Sequence, residues 1–438
     1  MQRKSRRKSG AVKRKAVVGL DVGTTKICVI VGECTKEGVC VRAVSSHPSD
    51  GLRKGVVIDI DAAARAMKEA VSAAEREWGA PIKDVFVGIA GSHIKGFSSI
   101  GAAAVRDKVV TDVDVDRAID SASAVYVPLD REILHVLPTD FILDGQGGIK
   151  DPVGMRGGRL EVRVYIVTGA VASVQNLLTC CERAALDVND IVLQPIASAE
   201  ATLTATDREM GIALVDIGGG TTDVAIYKDG WLRRSAVLGI GGNHFTNDIS
   251  VGLKLPFAEA ERLKKTAGSV RPQDLYDLAQ VDVASIDGQT RSIPRRYVTE
   301  ILQPRCDELL DLIKREIHEA YEQGVAVLGL VLTGGASLLA GFDRAAEALL
   351  AMPVRVGHPV LPVIGTLSEQ RSGNPGAIGR SGTSLHELHS PMYATGVGLV
   401  LYGADSLRAG ETELFTSSVF NRIVTQMTGW FKNMLGKR

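Results

Sequence analysis

An apolar run, an aspartate, a Gly/Thr turn and a second apolar run occur twice in this sequence. Residues 19–30 read GLDVGTTKICVI and residues 214–227 read LVDIGGGTTDVAIY. Each copy puts an Asp (Asp21, Asp216) at the end of an apolar strand. The Gly and Thr residues that follow can turn backbone N–H groups toward phosphate oxygens without side-chain obstruction. An Asp beside phosphates commonly serves a hydrated Mg²⁺. The duplication therefore points to a nucleotide held between two half-domains.

One DxGxT hairpin would be a weak signal, because a glycine-rich turn after an apolar strand is usually only a turn. The pair resembles the phosphate 1 and phosphate 2 motifs of the actin, Hsp70 and sugar-kinase superfamily. A third segment, residues 330–342 (LVLTGGASLLAGF), reads as a buried strand, Gly334 and Gly335, then a helix opening near Ser337, and it resembles that superfamily's adenosine motif. No GxxxxGK[ST] sequence is present, which disfavours a Walker-type NTPase.

At 438 residues the chain allows roughly three ordinary domains, and 45% apolar residues give ample core. Lys plus Arg and Asp plus Glu are equal at 51 each, so net charge gives no argument for nucleic acid. Residues 1–15 hold eight basic and no acidic residues and read as a disordered basic tail, either attracted to anionic lipid or an acidic partner or simply solvated. No apolar h-region follows the tail, so it does not read as a secretory signal. The six cysteines lack CxxC spacing and His partners, which supports neither a zinc site nor a disulfide framework and fits a reducing cytoplasm.

Between the two hairpins the pattern is first α/β, with a helix over residues 61–78 and a strand over 85–91. From residue 93 to about 162 it changes to short alternating strands, one helix and Gly-rich turns, which reads as an inserted subdomain. The second half repeats the plan, with a turn at residues 239–242, a helix over 243–252 and a largely helical, charged section over 256–323. Residues 365–390 are rich in Gly and Ser and read as a mobile loop, and 393–403 as a small-residue helix. In residues 418–438, Phe420, Ile423, Val424, Met427, Trp430, Phe431, Met434 and Leu435 recur on one helical face, and the segment has four basic residues and no acid. That is the pattern of a helix lying in a membrane interface, or of one docking on protein by the same face. It has no apolar run of roughly 18 residues with which to span a bilayer.

The order of motifs, the insertion and the terminal amphipathic helix together resemble the FtsA family of bacterial cell-division proteins, over nearly all of residues 16–438. The resemblance implies an actin-like α/β fold of two halves with an inserted subdomain 1C. Its domains would be 16–84 and 169–209 with 393–403 (1A), 85–168 (1C), 210–249 and 325–392 (2A), 250–324 (2B), a 404–417 linker and the 418–438 membrane helix. It implies ATP with Mg²⁺ held near Asp21 and Asp216 through water. Phosphate contacts would come from Gly23, Thr24, Thr25, Lys26, Gly218, Gly219, Gly220, Thr221 and Thr222. Nucleoside contacts would come from Gly241, Gly242, Glu261, Lys264, Gly334, Gly335 and Ala336. Gln194 matches the residue that orients an attacking water, and a carboxamide is not a strong base, so at most slow ATP hydrolysis is expected. Residues 302–317 resemble the region that receives the C-terminal tail of FtsZ, with Arg305 as the candidate contact or else an ordinary helix-surface residue.

The function so implied is a polymerising adaptor that tethers the FtsZ ring to the cytoplasmic face of the inner membrane at the division site. Its partners would be the FtsZ tail, copies of itself, anionic lipid and further division proteins through 1C, with no nucleic acid. A sugar or metabolite kinase of the same fold would need a general base, for which only Asp21, Asp216 and Asp223 offer themselves. A type IV pilus adaptor of the same superfamily is the nearer alternative, and the terminal helix weighs against it. A chaperone-like ATPase would need a β-rich peptide-binding domain, for which too few residues follow Gly403.

Overall fold

The computed structural model describes residues 16–35, 38–274, 279–285, 288–360 and 385–411. The first repeat folds as an antiparallel hairpin of β1 (Ala16–Val22) and β2 (Lys26–Cys34), its turn closed by Gly23 N–H donating to the Lys26 carbonyl at 3.0 Å. β3 (Val39–Pro48) continues the meander, and a short pair, β4 (Leu52–Arg53) and β5 (Val56–Val57), precedes α1 (Ile60–Trp78). Alanines and Met67 form the buried face of α1, Asp59 caps its start through the Ala62 N–H, and Gly79 ends it at φ 80°. The chain then enters β6 (Asp84–Ile89), parallel to β1.

β7 (Lys95–Ala104), α2 (Asp112–Ser123), β8 (Arg131–Leu143), β9 (Gln146–Ile149) and β10 (Arg159–Ala170) form a separate sheet of order β7-β10-β8-β9. α2 covers it, over a core around Phe141, Leu160 and Ile166. The boundary expected at residue 85 is therefore too early, since β6 is a central strand of the first sheet and the insertion begins after it. α3 (Val171–Arg183), β11 (Asp187–Leu193), α4 (Gln194–Thr202) and α5 (Ala205–Met210) complete the first half.

The second half begins with β12 (Ile212–Ile217), β13 (Thr222–Lys228) and β14 (Trp231–Leu238). α6 (Gly242–Leu253), α7 (Phe257–Ala267), the pair β15 (Gln280–Ala284) and β16 (Thr290–Pro294), and α8 (Arg295–Glu322) follow. β17 (Gly329–Thr333), α9 (Phe342–Leu350), β18 (Val354–Val356) and α10 (Ala394–Glu411) close the described chain. The sheets run β3-β2-β1-β6-β11 and β14-β13-β12-β17-β18, the same build twice. Gly218 N–H donates to the Thr221 carbonyl at 3.0 Å, the closure seen at Gly23. This is the two-half architecture with one insertion that the resemblance implies.

Three further expectations are corrected. The section read as largely helical contains the β15–β16 hairpin, of which only Val283 and Ile293 are buried, too few apolar positions to mark strands. α8 runs straight through Pro304. Pro304 removes one backbone donor, yet Val298, Leu302, Cys306 and Leu309 hold one buried face on both sides of it. The helix expected near Ser337 is a 3₁₀ turn, Gly335–Leu338, and α9 opens only after Gly341 at φ 79°. Residues 404–411, assigned to a linker, continue α10. The basic tail 1–15, residues 365–384 of the Gly/Ser-rich loop, and the membrane helix 418–438 lie outside the described residues. Among those described, no helix is long and apolar enough to cross a membrane.

Candidate nucleotide site

The two hairpin turns meet. A Cβ on Gly219 would lie 1.8 Å from Thr25 Oγ1, and one on Gly220 would lie 2.7 Å from Thr24 Oγ1, so glycine is what lets the second turn reach the first. Gly242 and Asn243, at the start of α6, donate N–H groups to the Gly218 and Gly219 carbonyls at 2.8 Å each. The positive end of the α6 dipole is thereby set against the second turn.

The third motif closes on the same place. Gly334 has φ 84°, and a Cβ there would stand 2.3 Å from Asp216 Oδ1, so the chain passes directly over that carboxyl. A Cβ on Gly242 would lie 3.2 Å from the Ala336 Cβ and 3.5 Å from Lys264 Nζ. Lys264 is anchored by the Gly242 carbonyl at 3.0 Å, Thr246 Oγ1 at 2.8 Å and Glu261 at 2.7 Å. Burial works against the Glu261 charge, but its bonds from Lys264 and Thr246 outweigh burial and hold its pKa below the ordinary value. Of the predicted nucleoside contacts, Gly242, Ala336, Lys264 and Glu261 thus converge at the head of α6, while Gly334 lies over Asp216.

Asp21 faces Cys28 across the first hairpin, and Asp216 faces Asp223 across the second. Gln194, the first residue of α4, donates from Nε2 to Asp21 Oδ1 at 3.2 Å. Asp216 Oδ2 accepts from Ser198 Oγ at 2.5 Å and Thr395 Oγ1 at 3.2 Å. Burial pushes Asp21 up to about 6, with Lys26 opposing the rise and Asp216 adding to it. Burial also raises Asp216 against its hydroxyl bonds, and raises Asp223 further with repulsion from Asp216 and Asp21. Asp223 Oδ1 is buried without a hydrogen-bond partner.

Three desolvated carboxyls with an unmet acceptor fit a divalent cation, which would relieve their repulsion. Among the described residues no group of three metal-ligating side chains could grip an ion directly, so an ion there would be held largely through its own water. Lys26 is half-buried and bonded to protein rather than free in water. Its Nζ donates to the Met392 carbonyl at 2.6 Å and lies 3.8 Å from the centre of the Tyr393 ring, just before α10.

Sequence reasoning missed Ser198, Thr395 and His135. The first two are single hydroxyls within small-residue segments, PIASAE and YATGVG, and only the placement of α4 beside α10 gives them a role. His135, in the inserted sheet, accepts the Leu193 N–H at 3.0 Å through Nε2, tying the insertion to the residue before Gln194. Burial lowers its pKa to about 4, which keeps that nitrogen an acceptor. Arg305 lies apart from this site. It grips Asp248 of α6 through two bonds of 2.7 and 3.0 Å and also bonds Glu308, so its guanidinium already has partners.

Residues 213–398 match the family model described as cell division protein FtsA, and residues 91–168 match the SHS2 domain inserted in FtsA. The latter begins where the sheet places the start of the insertion. The chain is 38% identical over 409 residues to cell division protein FtsA of Pseudomonas aeruginosa, covering 93% of this chain and 94% of that one. Among solved structures it is similar to the PilM-PilN type IV pilus biogenesis complex, at TM-score 0.62 and 16% identity over 89% of this chain and 99% of that chain. It is also similar to MreB 5 of Spiroplasma citri bound to AMPPNP, at TM-score 0.51 and 15% identity over 91% and 99%. At those identities the two structures establish the shared actin-like fold alone. The identity across nearly the whole length, together with both domain matches, shows that the chain belongs to the FtsA family of cell-division proteins.

Proposed function

We propose that the protein is an ATP-binding, polymerising adaptor that anchors the FtsZ ring to the cytoplasmic face of the bacterial membrane. The observation that carries this reading is the meeting of two identically closed turns, Gly23–Lys26 and Gly218–Thr221, beside three buried carboxyls. Backbone N–H groups, Thr24, Thr25, Thr221 and Thr222 would hold phosphates, and the Gly242–Ala336–Lys264 convergence would receive the nucleoside. Mg²⁺, when bound, neutralises phosphate and carboxylate charge. Gln194 would orient water, supporting slow turnover, so that nucleotide acts mainly by ordering the two halves.

Residues 418–438 would lie in the interface of an anionic membrane, with Phe420, Ile423, Val424, Met427, Trp430, Phe431, Met434 and Leu435 inward. One such helix binds marginally, and assembly into a filament would supply the second and later helices at high effective concentration. The surface joining α6 and α8 around Arg305 would take the FtsZ tail, and the insertion would contact further division proteins.

The test is co-sedimentation with anionic liposomes, for the full chain and a chain ending at Ser417, with and without ATP and Mg²⁺. ATP-dependent pelleting that disappears on truncation is expected, and Trp430→Glu should abolish pelleting while ATP still binds. Equal pelleting of both chains would overturn the membrane role of the helix.

A further inference from the structure

We propose that Lys54 is a further nucleotide-binding residue, contacting the terminal phosphate of a nucleoside triphosphate and so distinguishing it from the diphosphate. The inference rests on the nucleotide reading above. Lys54 occupies the turn between β4 and β5 with φ 50° and is exposed. That turn is fixed to the first phosphate turn, since Gly55 N–H donates to Thr24 Oγ1 at 3.1 Å. It is also tightly seated, because a Cβ on Gly55 would stand 2.8 Å from the Ala90 carbonyl oxygen.

From this half Lys54 meets the other. A Cβ on Gly220 would lie 3.1 Å from the Lys54 Cα, and a Cβ on Gly239 would lie 3.8 Å from its Nζ. Close approaches run in sequence from Ala336 to Gly242, then to Gly218, and the turn continues through Gly219 to Gly220 and Lys54. Lys54 therefore stands at the end of the site opposite the nucleoside side, where the last phosphate of a chain would arrive. Lys26 and Lys264 are engaged by protein oxygens, whereas no hydrogen bond or ion pair among the described residues occupies the Lys54 ammonium. A cation without a protein partner between two glycine turns can give its charge to an anion without first breaking a bond.

The experiment is titration of the full chain with fluorescent ATP and ADP analogues in Mg²⁺, for the unaltered protein, Lys54→Met and Lys54→Arg, with thermal melts as a check on folding. Lys54→Met should weaken ATP about ten-fold, the size of one charge-assisted hydrogen bond, and leave ADP within about two-fold. Lys54→Arg should keep most of the ATP affinity. Equal loss for ATP and ADP, or no loss for either, would overturn the assignment. If the unaltered chain binds neither nucleotide, the nucleotide reading itself fails and takes this inference with it.

Discussion

Gln194 Nε2 donates to Asp21 Oδ1 at 3.2 Å, joining the first residue of α4 to the buried carboxyl at the end of β1. The contact depends on Gly88, where a Cβ would press on Gln194 Cγ at 3.1 Å. A carboxamide held there can orient a water but cannot take its proton. Gln194→Ala should lower Mg²⁺-dependent ATP turnover at least about ten-fold while ATP affinity stays within about two-fold. Phosphate release measured beside nucleotide titration separates the two effects, and equal loss of both would assign Gln194 to binding.

Asp21 makes stability depend on pH with a defined sign. Its folded pKa of about 6 lies above the ordinary 3.8, so the folded protein retains a proton that the unfolded chain releases. That contribution is complete below 3.8 and is lost as pH rises through 6, amounting to about 3 kcal/mol by neutral pH. Asp21→Asn carries no such charge. Without Mg²⁺ the variant should melt above the unaltered protein at pH 7.5, and the gap should shrink as pH falls toward 5. Melting curves across that range check the sign, and a gap that stays constant would place the penalty elsewhere.

The repeat announced most of this architecture because strand, Asp and Gly/Thr turn leave local marks that need no knowledge of the partner strand. Gly219 and Gly220 were legible as phosphate-loop glycines, but that they lie against Thr25 and Thr24 depends on how the halves close. Ser198, Thr395 and His135 were illegible for the same reason, since each acts on a group distant in sequence. The change of pattern at residue 93 leaves β6 with the first sheet, where the structure has it, whereas the boundary at 85 implied by the resemblance puts it in the insertion. Arg305 was visible as a charge on a helix, while its grip on Asp248 came from the packing of α6 on α8.

That grip sets up a prediction for the FtsZ tail. If Arg305 contacts the tail, it must share or exchange its bond to Asp248. Arg305→Ala should then weaken binding of a tail peptide about ten-fold, whereas Asp248→Ala, which releases the guanidinium, should not weaken it. Peptide titration with both variants is the check. Equal weakening by the two would mean that the pair acts only by fastening α6 to α8.

Where α4 crosses α10, a Cβ on Gly398 would fall 1.7 Å from the Ala197 carbonyl oxygen, so the helices touch backbone to backbone. Replacing a helical glycine with alanine ordinarily favours folding by about 1 kcal/mol. Here the collision is with backbone, which cannot rotate away, and forced repacking of a core costs about 1–3 kcal/mol. The cost should win, so Gly398→Ala is expected to be destabilising on balance. Gly396 offers the contrast, because a Cβ there meets the Ile30 side-chain end at 3.0 Å, which can yield. Gly396→Ala should therefore be close to neutral. Because α4 carries Ser198 and α10 carries Thr395, both bonded to Asp216, Gly398→Ala should also weaken Mg²⁺-dependent nucleotide binding. Urea denaturation and nucleotide titration of the two variants test this ordering, and a Gly398→Ala protein as stable as Gly396→Ala would show that the crossing has room the distances deny.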